Sequence, residues 1–106
     1  MRFEQADLFG GHGRVQIDDL LQQKSLPPFR EVLQCQLEPG GTVGAHRQEH
    51  FSEILLVAEG QGQAVVGGQP QVLGPGSLVL LPLGQILELR NTHAQNWLCY
   101  FIVKAG

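Results

Sequence analysis

The sequence predicts an all-β fold, an antiparallel sandwich or jelly-roll barrel, and three observations carry that reading. Fourteen Gly and six Pro among 106 residues cut the chain into short pieces. The pieces between them are rich in Val, Leu and Ile, the pattern of short strands joined by tight turns. Within several pieces the side chains alternate with the two-residue period of a strand. A hydrophobic fraction of 42% is enough to build one core in a chain of this length. The organisation expected is a single domain, with residues 1–28 forming an N-terminal strand or irregular region packed on a barrel of residues 29–106.

Taken in order, Asp18–Lys24 is the one helix candidate, short and weakly patterned. Leu33, Cys35 and Leu37 share a face of the strand that ends before Pro39. In the segment 52–58, Glu53, Leu55 and Val57 face one way while Ile54, Leu56 and Ala58 face the other. Two apolar faces imply cover on both sides, from a second sheet or a partner subunit. Segment 65–72, with Gly67-Gly68 at its centre, reads as a hairpin whose glycines supply positive φ. Trp97 to Val103 repeats the two-sided apolar pattern. Two segments share one layout of Pro/Gly turn, apolar strand and polar residues, which points to a jelly roll wound from two similar halves.

Charge narrows the partners. Seven Lys and Arg stand against ten Asp and Glu, a net charge of −3. The basic residues never cluster, so the basic stripe of a nucleic-acid binder is missing. The longest apolar stretch, Trp97 to Val103, is far short of the roughly 20 residues of a membrane helix. Acids near the start stand where a signal peptide would be apolar, and the expected location is the cytoplasm. Cys35 and Cys99, both in apolar surroundings, read as free thiols.

One constellation carries chemistry. From Gly40 the chain runs five residues to His46, one more to Gln48, four to Glu53 and six to Gly60. From Gly76 it runs five residues to Pro82, one to Gly84, two to Leu87 and three to Asn91. These spacings resemble the two motifs of the cupin family, and the match covers about half the chain. It holds at Gly40, His46, Glu53, Gly60, Gly76, Pro82, Gly84 and Asn91. It fails where the family has two histidines, replaced here by Gln48 and Leu87. The resemblance implies a small single-domain cupin, a double-stranded β-helix in which three His and one Glu hold a divalent metal at the barrel mouth. Residue by residue, His46 and Glu53 carry over as ligands.

Strand periodicity puts His46 and Gln48 on one face, joined by His50 if the strand runs that far. Glu53 shares its face with Leu55 and Val57 and points into the same interior, where a carboxylate must be paired, protonated or bound to a cation. Gln48 offers only an amide oxygen, and Leu87 offers nothing. The expected metal site is therefore His46, Glu53, Gln48 and His50, holding Fe, Mn, Ni or Zn weakly or not at all. Losing one strong ligand weakens affinity on the order of 10- to 100-fold. The competing reading makes His46 an interior histidine bonded to Glu53, His50 a rim residue, His12 and His93 turn residues, and Leu87 and Leu89 filling of the barrel.

Three functions follow. The first is a cupin that binds a small polar metabolite around His46, Gln48, Glu53 and Leu87, with metal weak or absent. The second is a metal-dependent isomerase, lyase or dioxygenase that uses His46, Glu53 and His50 or Gln48. The third is a structural protein with a closed interior. In each case the two-sided apolar strands favour a homodimer.

Overall fold

The computed structural model describes residues 2–106. Ten strands follow in order: β1 (Arg2–Ala6), β2 (Arg14–Asp19), β3 (Phe29–Leu37), β4 (Thr42–Arg47), β5 (Ser52–Glu59), β6 (Gly62–Val66), β7 (Gln69–Leu73), β8 (Leu78–Leu81), β9 (Ile86–Asn91) and β10 (Leu98–Ala105). They form a six-stranded sheet, β1-β2-β3-β10-β5-β8, and a four-stranded sheet, β4-β9-β6-β7. Every pairing is antiparallel. This is the all-β jelly roll the punctuation and alternation predict.

The alternation sets the core. Val15, Ile17, Cys35, Leu37, Leu55, Val57 and Tyr100 from the larger sheet share one cluster with Val43, Ala64, Leu87 and Leu89 from the smaller. Glu88 and Arg90, out of phase with Leu87 and Leu89, are exposed. The expected hairpin is present: Val66 pairs with Gln69, and Gly67 and Gly68 take φ of +55° and +82°. Positive φ at both central residues matches the right-handed twist of the strands, and glycine adopts it without strain.

The helix expected over Asp18–Lys24 does not form, and the single helical turn among the described residues is a 3-10 turn, Leu8–Gly10. Asp18 and Asp19 end β2 instead. Asp19 Oδ1 accepts the backbone N–H groups of Leu21 at 3.1 Å and Gln22 at 3.2 Å. Gln22 and Gln23 then take φ of +53° and +69°. A short acid that caps its own backbone competes with helix and wins here.

The second motif is a structural clamp. Asn91, 1% exposed, donates from Nδ2 to the carbonyls of Leu37 at 3.1 Å, Glu38 at 3.2 Å and Asn96 at 2.8 Å. Its Oδ1 accepts the His93 N–H at 2.9 Å. His93 is half-buried, and its Nδ1 accepts the N–H groups of Gln95 and Asn96 at 3.0 and 2.9 Å. That histidine shapes the turn into β10. Among the described residues, no helix is long and apolar enough to cross a membrane.

Candidate functional site

A cavity of about 770 Å³ opens between the two sheets. That volume lies in the range of small-molecule pockets. His46, Gln48, His50, Glu53 and Leu87 all line it. Its floor is hydrocarbon from the core, and its polar groups come from β1, β2, β3, β4 and the loop after it, β5 and β10.

His46 lies near the end of β4, half-buried. Its Nδ1 is 3.0 Å from the Gly44 carbonyl oxygen. A carbonyl only accepts, so Nδ1 carries the proton and Nε2 is left as the acceptor. The ring stacks on Phe9 with centroids 3.9 Å apart and planes 14° from parallel. Phe9 reaches it from the N-terminal 3-10 turn with φ of +53°. The turn comes this close because Gly44 has no side chain; a Cβ there would fall on the Phe9 carbonyl oxygen. Across the β4–β9 ladder the direct partner of His46 is Leu87, 3% exposed. Hydrocarbon therefore stands opposite the imidazole.

The strand does not run on to His50, because β4 ends at Arg47. Gln48 follows it with its backbone clamped: its N–H donates to the Gln85 carbonyl at 2.9 Å, and its carbonyl accepts the Gly84 N–H at 2.7 Å. The Gln48 residue is 4% exposed, and its amide Nε2 is buried with no hydrogen-bond partner. An orphaned buried donor costs about 1–3 kcal/mol. His50 is exposed in the loop and leans on Phe51, their ring centroids 6.4 Å apart.

Glu53, on β5, has a side chain 9% exposed, with Oε2 4.0 Å from Lys104 Nζ. Burial pushes its carboxyl above the ordinary range; Lys104 opposes that shift and Glu31 adds to it. The imidazole–carboxylate pair of the competing reading is not formed, since His46 bonds Gly44 and Glu53 pairs with Lys104. Deeper in the cavity wall, Cys35 and Tyr100 are cross-strand partners on β3 and β10. Burial pushes the Cys35 thiol up to about 12 and the Tyr100 hydroxyl well above its usual value. Both are neutral at physiological pH, and neither is a nucleophile there.

Lys104 and Glu31 are cavity-lining residues that sequence reasoning missed. The signal was present: Leu98, Tyr100 and Ile102 point inward, and period two carries Lys104 onto the same face.

Among the described residues, no three His, Cys, Asp or Glu side chains are grouped so as to hold a metal ion. The donors at hand fit a metal centre poorly. One imidazole faces a leucine, and the neighbouring carboxylate already pairs with an ammonium.

A cupin-domain model matches residues 33–103. No curated protein matches the chain. Among solved structures, the chain is similar to a predicted oxalate decarboxylase from Thermotoga maritima at 24% identity and a TM-score of 0.91, covering 99% of this chain and 91% of that one. It is similar to a cupin 2 conserved barrel domain protein from Rhodopseudomonas palustris at 20% identity and a TM-score of 0.81, covering 100% and 70%. A cupin-2 domain from Rhodospirillum rubrum aligns at 22% identity and a TM-score of 0.75, covering 87% and 60%. At these identities the structural likenesses speak for the fold alone. The family match extends over most of the barrel, and the chain belongs to the cupin family.

Proposed function

We propose that this cupin binds a small polar metabolite in the barrel cavity, with a divalent metal held weakly or not at all. The observation that carries the reading is the Gln48 amide, buried at the cavity wall with an N–H donor that no protein atom accepts. The nitrogen is closed off in the empty protein, so an acceptor oxygen on a ligand would satisfy it by drawing the amide toward the cavity, and would recover a desolvation cost already incurred. His46 Nε2 adds an acceptor, Phe9 an aromatic face, and Leu87 and Leu89 an apolar wall.

The test is a thermal-shift screen of small hydroxy acids, sugars and amino acids, with calorimetry on each hit. The expected result is saturable binding that Gln48→Leu weakens about tenfold or more, equivalent to about 1.4 kcal/mol. A screen without saturable hits, or hits indifferent to both Gln48→Leu and His46→Ala, contradicts the reading.

One observation favours the second reading, a metal-dependent isomerase, lyase or dioxygenase. Holding Nδ1–H on a backbone carbonyl is how ligating histidines are oriented, and Gly44 does this for His46. Stoichiometric metal in protein purified without chelator or nickel resin, lost in His46→Ala, would support it.

The functional unit in this reading is a homodimer. Ile54 and Leu56 on β5 pair in register with Leu80 and Leu78 on the edge strand β8. All four are large apolar residues left exposed on the outer face. A second copy seated there would bury them, and light scattering should report a dimer that Leu56→Lys with Leu80→Lys converts to monomer. A cytoplasmic setting suits the two free thiols, Cys35 and Cys99.

A further inference from the structure

Lys104 stands directly opposite Glu31 on β3 and Glu53 on β5, its two neighbours in the larger sheet. Its Nζ lies 3.4 Å from Glu31 Oε1 and 4.0 Å from Glu53 Oε2. All three side chains line the cavity. A positive centre between two carboxylates at the polar end of a pocket is also the position a divalent cation would take. Here that centre is tethered to β10.

Stability alone is a weak reason for the arrangement. The Glu31 side chain is 45% exposed, and ion pairs with one partner that open contribute little to folding. Glu53 is different: it is nearly buried, and an ionised carboxylate there is costly without a cation beside it. The ammonium has three N–H donors; Glu31 Oε1 accepts one at 3.4 Å, and Glu53 at 4.0 Å is an ion-pair partner beyond hydrogen-bond reach, which leaves a donor for an oxygen in the cavity.

We infer that Lys104 is a built-in replacement for a divalent cation, its ammonium occupying the position between Glu31 and Glu53 and offering a donor to the cavity ligand. Together with the Gln48 amide it makes the ligand one that presents acceptor oxygens, a carboxylate or a carbonyl. The inference rests on the reading that the cavity works without a bound metal. Its chemical consequence is that removing the ammonium should open the same position to a metal ion.

The test uses Mn²⁺ alone as probe, added to the whole chain and followed by the electron paramagnetic resonance signal of the free ion. Lys104→Met should bind Mn²⁺ at least about tenfold more tightly than wild type, about 1.4 kcal/mol. Adding Glu53→Gln to Lys104→Met should abolish the gain, and Lys104→Arg, which keeps the charge, should behave as wild type. Circular dichroism checks the fold, and Lys104→Gln replaces Lys104→Met if the latter does not fold. If Lys104→Met binds no better than a metal-free wild type, the inference falls and the metabolite reading stands. If wild type itself binds Mn²⁺ and Glu53→Gln removes it, both fall.

Discussion

The two motif segments, residues 40–60 and 76–91, are about equally regular, yet they spend their polar side chains differently. In the second, Asn91 is consumed by the backbone of two neighbouring segments, residues 37–38 and 93–96, and the cavity face is leucine at 87 and 89. In the first, an imidazole, an amide and a carboxyl reach the cavity, and the amide nitrogen has no partner. One motif holds the barrel together, while the other leaves needs that a bound molecule can meet. Likeness in motif spacing therefore reports the fold, and the side chains left unsatisfied report the site.

The sharpest way to break that contrast is Asn91→Ala. It strands the carbonyls of Leu37, Glu38 and Asn96, and should cost on the order of 3 kcal/mol in urea unfolding. A loss below 1 kcal/mol, roughly that of a surface change, would mean the second motif is not a clamp.

Gln48→Leu should act with the opposite sign. Removing an unsatisfied buried amide should stabilise the empty protein by about 1–2 kcal/mol while weakening ligand binding. A variant that is destabilised in the absence of ligand would show that the amide has a structural partner.

Leu87→His puts a ligand on the apolar side of the comparison, directly across the ladder from His46. Calorimetry with Ni²⁺ should show binding about tenfold tighter than wild type, equivalent to about 1.4 kcal/mol. Unchanged affinity would mean that the two positions do not share the cavity mouth.

The smallest effect is a pH dependence. Burial raises the Glu53 carboxyl above its ordinary value of 4.5, so the folded chain holds that proton to higher pH than the unfolded chain does. This group's contribution is most favourable below the ordinary value and declines as pH rises through the interval up to the raised one. Glu53→Gln should therefore gain melting temperature relative to wild type as pH rises above the ordinary carboxyl value of 4.5. A difference that is flat or shrinks with pH would place the carboxyl in a better-solvated position.

Much of the fold was legible because its signals are local. Gly67-Gly68 between alternating residues can hardly be read as anything but a hairpin, and Leu33, Cys35 and Leu37 announce a face. Asp18–Lys24 was misread because Asp19 caps its own backbone, a side-chain choice that periodicity does not register. The cavity gathers His46, Gln48, Glu53 and Leu87 because motif spacing places them around one mouth, and His50 reaches it from the loop after β4. Lys104 was harder to see. Its partner Glu31 lies 73 positions away in sequence, and only the order β3-β10-β5 brings the pair together. The Phe9 stack on His46 depends on a close backbone approach at Gly44, which no local pattern encodes.

Elemental analysis of wild type and His46→Ala, both purified without chelator or nickel resin, tests the central claim most directly. A pocket that relies on the Lys104 ammonium and the Gln48 amide should carry only trace transition metal, in amounts that the substitution does not change. Stoichiometric metal in wild type that disappears with the imidazole would contradict it.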